Sequence, residues 1–194
     1  MAAIESGATR FDTPHPDPES AEPPFLEEWL EAQQSFQVLG QSCLAIVAAT
    51  LHLCLEYLDA LYVRGRAATS PSGNWLKGYE KIFLQQCNVS MASGPADLAL
   101  LEEVVLARNS TQHIDSITYI AAPYRSSDLA RYPKPTFISE SERELLARLP
   151  SSESALLLPT IEVSAEALET VLLQVENFSD WLEQQLALSA CRRR

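Results

Sequence analysis

Apolar residues recur at steps of three and four from residue 25 onward, and that period predicts helices through most of the chain. Phe25, Trp29, Phe36 and Leu39 form one stripe, with Glu27, Glu28 and Glu31 on the other side. Gly40 marks a point where the run kinks or breaks. Leu44, Val47, Leu51, Leu55, Leu58 and Leu61 continue it, so the stretch to about Val63 reads as one long kinked helix or two. Apolar residues on two sides of 44–62 place that stretch at the centre of a bundle.

Ser70-Pro71-Ser72-Gly73 signals a turn within a loop over 64–73. A helix over Asn74–Cys87 follows, with Trp75, Leu76, Tyr79, Ile82 and Phe83 inward. Ser93-Gly94-Pro95 predicts the start of the next helix, with proline near its first position. Its inward residues are Leu98, Leu101, Val104 and Val105, and it is expected to end near Arg108 or Asn109. Ser110 or Thr111 then caps a short helix through Ile117 and Ile120, which Pro123 stops. Residues 123–160 are Pro-interrupted, with a short helix around Glu140–Arg148 and an extended piece within Leu156–Val163. Ser164 caps the last helix, Ala165 to about Ala190, whose inward residues include Leu168, Val171, Leu172, Val175, Phe178, Leu182 and Leu186. The fold class is therefore all-α: a bundle of four to five main helices over 25–190, with an irregular insert before the last.

Composition adds a tail and a charge. Residues 1–24 carry Pro14, Pro16, Pro18, Pro23 and Pro24 among acids, which predicts a disordered acidic arm. The chain has 26 acidic and 14 basic residues, a net charge of −12. That excludes a broad basic surface for nucleic acid but not a small local basic pocket. The four cysteines form no paired motif, so no metal or cofactor is expected, and the thiols read as reduced. No signal segment is read in the first 24 residues. The apolar run Cys43–Leu58, interrupted by His52 and Glu56, is too short to span a bilayer. A cytoplasmic protein without a membrane role is expected. The acid pairs Glu27-Glu28 and Glu102-Glu103 read as solvated faces, and His52, between Leu51 and Leu53, as a packed histidine. The terminal Arg192-Arg193-Arg194 favours solubility and the helix dipole.

Candidate chemistry sits at Arg108-Asn109-Ser110-Thr111-Gln112-His113. Arginine is a permanently charged forked ligand for phosphate. Histidine moves protons near neutral pH. Arg10 and His15 share the spacing, but in a tail that holds no geometry. The pair at the helix boundary points to a phosphodiester, with RNA the expected substrate. The plainer alternative has Arg108 capping its helix and His113 bonded to nearby backbone.

The order of elements, the Asn74-Trp75-Leu76-Lys77-Gly78-Tyr79-Glu80-Lys81 helix, and Ala107-Arg108-Asn109 followed by His113 resemble the HEPN superfamily of helical nucleotide-binding proteins. The resemblance covers about residues 25–190, and its specific part is the Arg-Asn-to-His segment. It implies a homodimer and a metal-independent endoribonuclease of a toxin or phage-defence system, with an antitoxin or defence protein as a further partner. Arg108, Asn109 and His113 take the family's active positions, and Glu80 is an accessory acid. Asp115 stands where related toxins often carry a modified tyrosine, which speaks against control by that modification. A second apolar stripe on the third helix, Leu100, Val104 and Ala107, is expected to form a two-fold contact within 95–120. The alternative reading is a non-catalytic helical module that binds a protein or nucleotide partner.

Overall fold

The computed structural model describes residues 25–63, 74–112, 122–148 and 159–191. Six α-helices and no strand are formed among the described residues: α1 Leu26–Tyr62, α2 Trp75–Cys87, α3 Leu98–Gln112, α4 Ser126–Arg131, α5 Glu140–Arg148 and α6 Ala165–Cys191. The chain divides into two units, 1–39 and 40–194. The expected arm over 1–24 lies outside the described residues.

In the first unit Phe25 and Trp29 are half-buried whereas Phe36 and Leu39 are exposed, so the stripe expected there is covered only at its start. In the second unit the all-α bundle is formed as the period predicts. Leu44, Val47, Ala48, Leu51, Leu55 and Leu58 of α1 enter the core. Ile46, Leu53, Tyr57 and Leu61 do not; each is more than half exposed, at 64, 62, 61 and 53%. The two-sided apolar surface on α1 is thus covered on one side only. The helix passes through Gly40 without a break. A Cβ there would stand 2.8 Å from the Val163 carbonyl oxygen, so glycine lets α1 approach the 161–163 segment closely. Nearby, Gln41 Nε2 donates to the Ile161 carbonyl at 3.3 Å. By length and composition the 37-residue α1 could cross a membrane, a test that core helices also pass.

The centre of the bundle is α3. Leu101, Val104, Val105 and Ala107 are all buried, and Leu100 is half-buried. The second stripe that suggested a two-fold contact at 95–120 is therefore largely covered by this chain itself. The start of α3 also differs from the expectation at Pro95. Asp97 is the cap: its Oδ1 accepts from the Ala99 and Leu100 amides at 2.9 and 3.4 Å, and its own amide donates to Gln174 of α6 at 2.9 Å. α6 lies against α2 and α3. Val171, Val175, Phe178, Leu182 and Leu186 are its buried ridge, whereas Leu172 is exposed. Ser164 caps it as read, accepting from the Ala167 amide at 3.1 Å.

Side-chain and backbone caps also close α2. Asn74 accepts from the Lys77 amide at its start, and Asn88 ends it in the left-handed conformation at φ 53°. The Val89 amide then reaches back to the Phe83 carbonyl at 3.2 Å.

The described residues of the insert before α6 are held by long-range hydrogen bonds despite the prolines. Pro123 and Thr160 form an antiparallel bridge, flanked by Tyr124 N to Pro159 O at 2.9 Å and Ile161 N to Ala122 O at 2.8 Å. Phe137, Ile138, Ile161 and Val163 are buried and belong to the core. Ser139 caps α5, accepting from the Glu142 amide at 3.1 Å. The Glu142 carboxylate in turn accepts from the Thr160 amide and hydroxyl at 3.0 and 3.1 Å.

Candidate functional site

The stripe Leu101, Val104, Val105 of α3 ends, one turn on, at Arg108. That register points Arg108 toward α1 and α2, where it meets a cavity of about 360 Å³. Val105 and Arg108 line one side, Ala48, Ala49, His52 and Leu53 of α1 another, and Trp75 of α2 a third. The alanines leave the space; a larger residue at either position would fill it. Arg108 Nη1 donates to the Asn109 carbonyl oxygen Oδ1 at 2.9 Å, so the two expected site residues are joined. Both are half-buried.

Two expectations about this region change. α3 does not stop at Arg108 or Asn109 but continues through Gln112. Ser110 and Thr111 therefore lie inside α3. Ser110 is buried, and the Thr111 hydroxyl donates to the Arg108 carbonyl at 2.9 Å. His113, together with the short helix expected through Ile117 and Ile120, lies outside the described residues. Glu80 is half-buried on α2 and is not among the residues lining the Arg108 cavity.

His52, read from the sequence as a packed histidine, is packed against rings of α2 and also borders this cavity. Its ring centroid is 4.6 Å from that of Trp75, tilted by 42°, and 6.0 Å from that of Tyr79. Tyr79 continues to Phe83 at 5.9 Å, nearly parallel. The histidine is thus seated on an aromatic column and also borders the cavity with Arg108. The signal was present as spacing: His52 lies four residues after Ala48 and three after Ala49, on a helix face with two small residues.

A second polar cluster sits one turn before Arg108. Glu103 is only 4% exposed, yet its carboxylate is fully engaged. Tyr124 Oη donates at 2.8 Å, the Thr136 amide at 2.5 Å and the Thr136 hydroxyl at 2.9 Å. Tyr124 Oη accepts from the Phe137 amide at 3.3 Å. Burial, and then the adjacent Glu103 charge, push the Tyr124 hydroxyl far above the usual phenol range. Glu102 pairs with Arg131, Lys77 and the Tyr132 hydroxyl. The Tyr132 hydroxyl is likewise raised, by burial first and then by its hydrogen bond to Glu102. The Glu102-Glu103 pair is therefore not a solvated face. It fastens the insert to α3 and explains how a buried acid is tolerated: each oxygen has a donor.

Among the described residues no group of three or more His, Cys, Asp and Glu side chains is arranged to hold a metal ion. No protein-family model, curated protein or solved structure matches the chain.

Proposed function

We propose that this protein is a metal-independent endoribonuclease of the HEPN type, acting in the cytoplasm in a toxin or defence system. The observation that carries the reading is Arg108, joined to Asn109 on the central helix and bordering a cavity of about 360 Å³. A forked cation beside open space suits a non-bridging phosphate pair. The negative chain as a whole attracts no polyanion, so such a local cation is the kind of contact available.

The chemistry follows from the residues. The ribose 2′-oxygen attacks phosphorus while His113 accepts its proton. Arg108 stabilises the charge on the phosphorane oxygens, and Asn109 orients the guanidinium. The P–O5′ bond breaks, leaving a 2′,3′-cyclic phosphate and a 5′-hydroxyl once the leaving oxygen is protonated. The second proton-transfer role falls to a second chain in the homodimer that the HEPN resemblance implies.

Purified protein is expected to cut unpaired RNA in EDTA, with cyclic-phosphate ends. Arg108→Ala and His113→Ala are each expected to lower the rate by about a hundredfold or more. Cutting that survives both changes, or that needs added metal, overturns the assignment. The acidic surface also suits a non-catalytic module docking a basic partner. Growth arrest by the wild type, relieved by His113→Ala, separates the two readings.

A further inference from the structure

Sequence placed the phosphate ligand but gave it nothing to distinguish one polyanion from another. The cavity supplies that. On one side stands the His52–Trp75 ring pair, with centroids 4.6 Å apart; on another stands Arg108. Between them Ala48 and Ala49 leave room, and the volume of about 360 Å³ falls at the small end of the range that holds organic ligands, about 300–1,000 Å³. Aromatic and imidazole rings beside a guanidinium are the side chains that hold an unpaired base and its phosphate. We infer that this cavity is the seat of one unpaired nucleotide, its base stacked against His52 and Trp75 and its phosphate on Arg108.

This inference rests on the ribonuclease reading for its substrate class and deepens it. It assigns His52 and Trp75 a positioning role in substrate choice. The ring pair would select single-stranded over duplex RNA, because a base inside a helical stack cannot enter. The net charge of −12 sharpens the point. Where no extended basic groove steers the strand, holding it falls to stacking and a single phosphate contact. Binding should therefore depend weakly on salt, with a slope near the value of about −0.7 expected for one phosphate on a single strand.

The test uses the full chain and a short 2′-deoxy oligonucleotide, which cannot be cut by 2′-oxygen attack. The same oligonucleotide with an abasic site at one position after another is the control. Binding is read by anisotropy. The base-bearing probe is expected to bind about tenfold or more tighter than the weakest abasic version. Trp75→Ala should erase that difference, and Trp75→Phe, which keeps a ring, should retain most of it. Ala49 is exposed, so Ala49→Phe plugs the cavity mouth without touching the core. It should abolish binding with an unchanged thermal midpoint, which covers the case in which Trp75→Ala fails to fold. Equal binding of base-bearing and abasic probes, or wild-type binding by Ala49→Phe, overturns the inference. RNA cleavage run in parallel keeps the two readings apart. Probe binding without any cleavage removes the ribonuclease and leaves the nucleotide seat. Cleavage undiminished in Ala49→Phe and Trp75→Ala alike, with equal binding of base-bearing and abasic probes, does the reverse.

Discussion

Glu103 shows how far one side chain can depart from what its type implies. An acid beside another acid on a helix ordinarily faces water. Here Leu101, Val104 and Ala107 bury the surrounding surface, and the carboxylate survives because Tyr124 and Thr136 supply its donors. Tyr124→Phe removes one donor from that buried charge and leaves the Phe137 amide without its acceptor. A loss of about 1–3 kcal/mol in urea unfolding is expected, and an unchanged midpoint would mean that water replaces the hydroxyl. Glu162 gives a pH-dependent counterpart. Burial, and then the negative charge of Glu142, hold its carboxyl above the usual range. The folded chain then binds that proton more readily than the unfolded chain. The associated stability is present below the unfolded value of about 4.3 and is lost as pH rises through the raised folded value. Glu162→Gln should therefore melt higher than wild type at neutral pH, with the difference closing in acid. A difference that widens in acid would reverse the sign. Neither residue was legible from the chain, because both depend on partners distant in sequence.

At the scale of elements, local signals did well where the deciding residues lie within one turn. The period of α6 and its Ser164 cap were readable, as were both ends of α2 and the span of α5. The start of α3 was misplaced because Ser93-Gly94-Pro95 offers a stronger local signal than Asp97, which is committed to the cap while its amide bonds to Gln174 of α6. The length of α4 is too short for any period to show. Leu61, Leu172 and the exposed side of α1 illustrate the other error: an apolar residue in step with its neighbours need not be covered. The left-handed Asn88 gives a clean element-level prediction. Asn88→Gly should leave stability within a few tenths of a kcal/mol of wild type or raise it, whereas Asn88→Val should cost about 1–2 kcal/mol, since a β-branched side chain resists φ near 53°. Equal midpoints for the two variants in thermal denaturation would contradict this.

For the molecule as a whole, the bundle class was readable and its centre was not. Apolar content pointed to α1, yet α3 is the helix enclosed on several sides, including the side that carries Glu103. Arg108 was visible in sequence as half of a spaced pair. Its cavity was not, since Ala48, His52 and Trp75 become neighbours only once α1, α2 and α3 pack. The homodimer proposed above would need another face, because α3 is largely covered. Ile46, Leu53, Tyr57 and Leu61 of α1 are among the exposed apolar residues. Ile46→Asp combined with Leu61→Asp is expected to give a monomer mass by light scattering at tens of micromolar, with the helical spectrum retained. A dimer that persists would place self-association elsewhere.

The exposed side of α1 has a colloidal consequence. Residues 32–55 contain no Asp, Glu, Lys or Arg, so the surplus of acids lies entirely outside that stretch. In dilute buffer, like charge on the rest of each molecule limits association of such faces beyond a pair of chains. Salt shortens the reach of that repulsion from about 10 Å at 0.1 M to about 3 Å at 1 M while leaving the apolar attraction in place. The protein should therefore be most soluble at low ionic strength and cloud as salt is raised, the opposite of what is expected of proteins held in aggregates by their charges.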